Sequence, residues 1–478
     1  VSATTAAATA PPAEPTAEEA AATMRSKRFV VLLVIVAIVG VIVSLATWCF
    51  LELIYQIQRE LWTHLPHALG YNNGPPLWWG LPVLAVAGLL VALAIMRLPG
   101  EGGHLPARGL AVGGKPVSPI DLPGVVLAGL AAISSGLVIG PEAPLIAIGA
   151  GVALLCIKLA RRQTPPQVLV LVAAAGSFAA LSFIFDSPLI AAVILIEATG
   201  IGGPRLPLLL LPGLLAAGIG TLVSIGMGSF TGLSSSAYAL GPLALPHFAH
   251  PTVGQFGWTI AMAIAIAAVT RVIMVGGLST YGVVARRLLL FLPVVGLIVA
   301  GLAIAFHGAT GKNVNEVLFS GQDALPGLIT QAGTWSIGAL LLLILLKGIA
   351  YSLSLGSFRG GPTFPAIFLG AAAGVAASHL PGFALEPAVG VGIGAGTVAV
   401  LRLPLSAVVL ATLLTVKSGT GDEPLIIVGV VVAYLVTLLL SPKPSGPTAP
   451  ASSEQTAEPA RPAPAATPAA PAAPAEPV

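Results

Sequence analysis

Residues Gly140–Gly151 read GPEAPLIAIGAG, one carboxylate set between two prolines at the head of an apolar run. A Gly-Pro pair ahead of such a run ends one segment and starts a helix. The first-turn N–H groups of that helix have no intrahelical acceptor, and together with the helix dipole they attract anions. Residues Gly361–Ala372 read GPTFPAIFLGAA and repeat the pattern 221 positions later, without the acid. A second pair follows in the same order: SPLIAAVILIEAT from Ser187 and LPLSAVVLATLLT from Leu403, with Pro188 and Pro404 offset by 216. Two motifs at nearly one offset imply a duplicated fold. Duplicated membrane folds place their site where the halves meet.

The surroundings are those of a membrane protein. Of 478 residues, 56% are hydrophobic and 8% charged, against about 25% charged in a soluble domain. The apolar residues form runs near membrane-spanning length: 29–53, 81–96, 168–185, 206–225, 288–305, 337–355 and 425–440. Gly and Pro break the body at Leu98-Pro99-Gly100, Ser118-Pro119, Gly140-Pro141, Ser187-Pro188, Gly360-Gly361-Pro362 and Leu403-Pro404. Backbone freed by such breaks is tolerated only inside protein or beside a water-filled cavity. The fold class is therefore an all-α polytopic membrane protein with broken helices. Three zones are expected: a disordered N-terminal tail (1–28), a transmembrane domain (29–441, halves about 29–230 and about 250–441), and a disordered Pro/Ala-rich tail (442–478). Arg25, Lys27 and Arg28 directly before the first run predict a cytoplasmic N-terminus.

Several classes are excluded by composition. The net charge is +3, with no basic stripe interleaved with aromatics, so nucleic acid is not an expected partner. Cys49 and Cys156 give no metal or redox framework, and neither metal nor cofactor is expected. Gly419-Thr420-Gly421-Asp422 matches the GxGD pattern of intramembrane aspartyl proteases, but the Tyr-Asp pair those enzymes also need is absent, so an enzyme is the weaker reading.

Glu142 stands at the head of a broken helix, between two prolines. Its carboxylate is a tethered anion over an anion site, able to occupy the site, to be displaced by a mobile anion, or to be neutralised by a proton. The plain alternative is a charge that caps its own helix. An ionisable group inside a membrane segment favours function. Asp186, before Pro188, reads as a helix cap.

With these motifs in order, the chain resembles the CLC family of chloride channels and chloride/proton antiporters. The family's Gly-Ser-Gly-Ile-Pro, Gly-Lys/Arg-Glu-Gly-Pro and Gly-x-Phe-x-Pro signatures correspond to GGHLP (Gly102–Pro106), GPEAP (Gly140–Pro144) and GPTFP (Gly361–Pro365). The likeness extends over about residues 29–440, including the helix that carries Lys347. It implies two inverted repeats, one anion pathway per subunit, a homodimer in the plasma (inner) membrane, and Glu142 as the gate. It also implies anion contacts at Gly103, His104, Leu105, Glu142, Ala143, Thr363 and Phe364.

The departures are specific. The family's central serine falls on Gly103, and His104 replaces the next glycine. Pro141 stands at the basic position and Ala143 at the following glycine. Pro362 and Thr363 fill the first x and the phenylalanine positions, and the late pore tyrosine has no counterpart. Pro141 and Pro362 bring no N–H. The Thr363 hydroxyl and His104 are the expected substitutes for the lost donors. The proton-relay position of the antiporters aligns with Ala198, beside Glu197. One residue turns a helix by about 100°, which favours a passive or weakly coupled path for chloride or a related small anion. The alternatives are a proton antiporter with Glu197 as relay, and a member that no longer conducts.

Overall fold

The computed structural model describes residues 16–110, 117–160, 164–231 and 239–441. The Pro/Ala-rich tail expected over 442–478 and the first fifteen residues lie outside them. The first half contains α1 (Ala17–Met24), α2 (Lys27–Arg59), α3 (Leu65–Ala68), α4 (Gly80–Arg97), α5 (Leu122–Ser134), α6 (Glu142–Leu159), α7 (Pro166–Phe185), α8 (Pro188–Thr199) and α9 (Leu206–Thr231). The second contains α10 (Val253–Val284), α11 (Leu288–Thr310), α12 (Leu325–Thr330), α13 (Ile337–Ser357), α14 (Thr363–Ala377), α15 (Leu385–Leu401), α16 (Pro404–Leu414) and α17 (Glu423–Leu439).

Two expectations change here. The tail expected to stay disordered to residue 28 folds at its end: Thr16 and Glu19 form a reciprocal capping box that starts α1. Among the described residues eight helices are long and apolar enough to cross a membrane. They include α6 and α10, which the apolar runs did not mark, because glycines dilute α6 and Thr270-Arg271 interrupts α10. The run 425–440 forms only the 17-residue α17.

The duplication extends from side chains to backbone. Asp186 and Arg402, again 216 apart, both take the left-handed conformation (φ 47° and 58°). Each ends one helix and turns the chain into the proline that opens the next. The cap of α8 is not Asp186 but Ser187, whose hydroxyl accepts the Ile190 amide at 3.3 Å. A left-handed residue has non-helical φ/ψ of the wrong hand for an N-cap, so the neighbour takes that role. Equivalent elements also touch: α8 packs on α16, as elements beside a two-fold axis between the halves do.

Lipid is as apolar as leucine, so these helices associate through close packing of small residues. Outward faces carry Val30, Val34 and Ile38 on α2 and Ile264 and Val272 on α10. Inside, α6 meets α7 where a Cβ on Gly149 would stand 2.5 Å from the Gly176 carbonyl. The second half repeats the crossing: a Cβ on Gly370 would overlap the Gly392 carbonyl. Both obstacles are backbone and cannot swing aside. Gly370→Ala is therefore expected to force α14 and α15 apart and to lower stability by about 1–3 kcal/mol, read as a reduced melting temperature in detergent. An unchanged melting curve would show that the crossing has slack.

Candidate functional site

The site begins where the two glycine-proline starts meet. Gly140 donates its amide to the Gly361 carbonyl at 2.8 Å, and Gly361 donates back to Gly140. This antiparallel bridge joins equivalent residues of the two repeats. It sets the first turns of α6 and α14 side by side, with Pro141 and Pro362 at their N-caps.

Glu142 is the first residue of α6 and is 1% exposed. Its carboxylate does not simply cap its own helix. Oε1 accepts the Phe364 amide, in the first turn of α14, at 2.8 Å. The amides of Glu142 and Thr363 and the Thr363 hydroxyl face the same carboxylate. Oε2 is buried and has no hydrogen-bond partner. A Cβ on Gly361 would overlap Oε2, so the carboxylate fits only because that position is glycine. The Tyr351 hydroxyl donates to the Pro362 carbonyl, and Phe185 stacks on Phe364 with centroids 5.5 Å apart. The Glu142 carboxylate thus sits on the first turn of the opposite repeat's helix.

Two cavities approach this seat. One, of about 340 Å³, is lined by Arg59, Trp62, Pro141, Ile184, Phe319 and Asp323 among others. The other, of about 600 Å³, is lined by Gly103, His104, Ala143, Ser177, Thr199 and Arg359 among others. Pro141 faces the first and Ala143 the second, with the buried Glu142 between them.

The residues singled out from sequence separate into three places. Gly103, His104 and Ala143 line the larger cavity; Gly102 and Gly103 turn the chain there with φ of 72° and 98°. His104 is held by its Nε2, 2.9 Å from the Gly109 carbonyl, and Leu105 is buried. Thr363 and Phe364 stand at the carboxylate. Glu197 is elsewhere: its carboxylate accepts the Leu405 amide (2.9 Å), the Ser406 amide (2.7 Å) and the Ser406 hydroxyl (2.6 Å), at the start of α16. Sequence reasoning passed over Arg359, which lines the larger cavity. A basic residue directly before Gly-Gly at a buried helix start was the available signal. Among the described residues no three histidine, cysteine or carboxylate side chains converge as a metal site.

An all-α, polytopic membrane protein of two inverted repeats, with a carboxylate seated at their junction, is the class these features define. The sequence model described as "Voltage gated chloride channel" matches residues 87–438. The chain belongs to this CLC family, whose members carry anions across membranes. It is 30% identical over 370 residues to YfeO of Escherichia coli O1:K1, named for a proposed role in ion transport; the match spans 75% of this chain and 81% of that one. YfeO of Shigella boydii serotype 4 matches equally. The crystal structure of a slow cyanobacterial Cl⁻/H⁺ antiporter superposes with a TM-score of 0.69 at 19% identity, over 86% of this chain and 95% of that one. A CLC-type fluoride/proton antiporter gives 0.65 at 18% identity, over 86% and 96%. At these identities the likeness establishes the fold.

Proposed function

We propose that the chain passes chloride or a related small inorganic anion between the two cavities, and that Glu142 is the gate. One observation carries this reading: the carboxylate is itself an anion on the Phe364 amide, between two cavities that its neighbours Pro141 and Ala143 line. A mobile anion reaching that seat must displace it, or meet it protonated. The backbone at Gly103–Leu105, Glu142–Ala143 and Thr363–Phe364 supplies the anion contacts, with the Thr363 hydroxyl as a side-chain donor. The subunit works as a homodimer in the inner membrane with a cytoplasmic N-terminus, as the family resemblance and the Arg25, Lys27 and Arg28 cluster suggest.

A channel-like or weakly coupled path is favoured because Glu197 is engaged as the cap of α16 by three hydrogen bonds. Proton-coupled antiport is the second reading, favoured by the likeness to the chloride/proton and fluoride/proton antiporters. The GxGD alternative finds little support: Asp422 is buried, accepts the Ser418 hydroxyl at 2.7 Å and lines neither cavity.

Purified protein in liposomes loaded with chloride, with internal pH recorded during efflux, tests the proposal. Efflux without linked proton movement supports it. Proton uptake driven by a chloride gradient establishes exchange. No anion movement at all overturns it. Glu197→Ala separates cap from relay: it is expected to cost about 1–2 kcal/mol of stability, as loss of a cap does, and to leave any proton coupling unchanged. Coupling lost with stability intact would make Glu197 the relay.

A further inference from the structure

The larger cavity is lined by a guanidinium that makes no ion-pair contact with a carboxylate among the described residues. Arg359 lies between α13 and α14, two residues before the Gly361 bridge, and is 8% exposed. Its Nε donates to the Glu101 carbonyl at 3.2 Å, and Nη1 reaches the Phe358 carbonyl at 3.5 Å, the outer limit for such a bond. Nη2 makes no hydrogen bond among the described residues. The ion pair of His64 and Glu60 lies on another part of the chain. No carboxylate among the described residues stands in ion-pair contact with Arg359, and Glu101 attracts it only from farther off. Arg108 adds positive potential against the attraction of Glu101, and is itself stacked on the Tyr281 ring, 5.6 Å from its centroid.

A charge taken out of water is costly unless it is paired. Two carbonyl contacts do not supply that pairing. The group does, however, face a cavity of about 600 Å³ whose wall includes Gly103 and also Ala143, the residue that follows Glu142. The rest of that wall is largely apolar, including Val125, Phe178 and Leu195, so the field of the guanidinium is weakly screened. Guanidinium presents several N–H donors in a fixed plane and suits anions better than an ammonium does.

We infer that Arg359 forms a second anion subsite: a small monovalent anion rests in the larger cavity against Nη2, one step along the path from the Phe364 amide. The bound anion supplies the missing counter-charge, and the guanidinium sets the occupancy of the cavity. The inference rests on the anion-transport reading and extends it to a residue outside the three glycine-proline starts. Arg359 also has a positioning side, since its Nε holds the Glu101 carbonyl, and the two roles are separable.

Three measurements test it. In chloride efflux from liposomes, Arg359→Met is expected to raise the half-saturating chloride concentration by on the order of tenfold, the scale of a charge-assisted hydrogen bond. Arg359→Lys, which keeps the charge and loses the Nε bond, is expected to recover most of that loss. A purely positioning role predicts the reverse, with Lys as damaged as Met. Crystals of the wild-type protein grown in bromide are expected to show an anomalous peak beside the guanidinium. Equal half-saturation in wild type and Arg359→Met, or bromide found only at Thr363–Phe364, overturns the inference while leaving transport intact. Wild-type vesicles that move no anion would instead defeat the transport reading, and the bromide peak would still decide whether the subsite exists. Should Arg359→Met melt far below the wild type, the bromide crystals decide alone.

Discussion

Glu142→Ala is expected to raise chloride efflux from liposomes roughly ten- to a hundredfold, and to abolish its dependence on pH. The wild-type carboxylate holds the Phe364 amide through a charge-assisted bond at 2.8 Å. Such bonds are worth about 1.5–3 kcal/mol, and tenfold in an equilibrium is about 1.4 kcal/mol. A chloride ion must overcome that term to take the seat. Alanine removes the tethered competitor and leaves the amide free. Glu142→Gln keeps the shape and an acceptor oxygen but loses the charge, so it should fall between wild type and alanine. Acidification frees the wild-type seat by protonating the carboxylate, so wild-type efflux should rise as pH falls. In both variants there is no proton to take up, and the pH profile should be flat. Efflux that matches wild type at every pH in both variants would remove Glu142 from the gate.

The local part of this site was legible in the sequence, and the long-range part was not. Prolines and glycines at Gly140, Pro141, Gly361 and Pro362 mark helix starts because only those residues interrupt an apolar run so sharply, and their spacing betrayed the duplication. What the spacing could not say is that the two starts bond to each other through Gly140 and Gly361. Nor could it say that the Glu142 carboxylate settles on the other repeat's helix, 222 residues away. Glu197 illustrates the same limit: it reads as a charge near the end of α8, and its actual partners begin at Leu405. Arg359 was hidden for a different reason. A single basic residue before Gly-Gly resembles a loop anchor until a cavity is seen to open onto it. The backbone symmetry of Asp186 and Arg402 was equally silent, because a left-handed residue leaves no fixed side-chain signature except glycine or asparagine.

Lys347→Met is expected to be strongly destabilising, at about 3–5 kcal/mol, because several carbonyls lose their donor at about 1–3 kcal/mol each. Lys347 lies within the spanning helix α13 and is 0% exposed. Its Nζ donates to four consecutive carbonyls, of Glu316 (2.9 Å), Val317 (3.2 Å), Leu318 (3.0 Å) and Phe319 (3.2 Å). It also stands 4.4 Å from the centroid of the Phe368 ring on α14. An ammonium has three N–H groups, so four acceptors share three protons and the whole segment is held at one point. That segment matters to the path. Phe319, left-handed at φ 59°, donates its amide to the Gly136 carbonyl at 2.8 Å, packs edge-on against Trp62, and lines the smaller cavity with Pro141. Methionine keeps the length of the side chain and removes every donor, which leaves these buried and partly buried carbonyls without their common partner. Glu316, outside the span, would follow: burial already pushes its carboxyl above the usual range, and the pull of Lys347 in the other direction would be gone. The expected readouts are a lowered melting temperature in detergent and faster hydrogen exchange over residues 314–320, with anion flux reduced because the wall of the smaller cavity loosens. A melting temperature and exchange pattern equal to the wild type would mean that the four carbonyls are satisfied without the ammonium. The charge of Lys347 would then have to be explained by the path itself rather than by the wall.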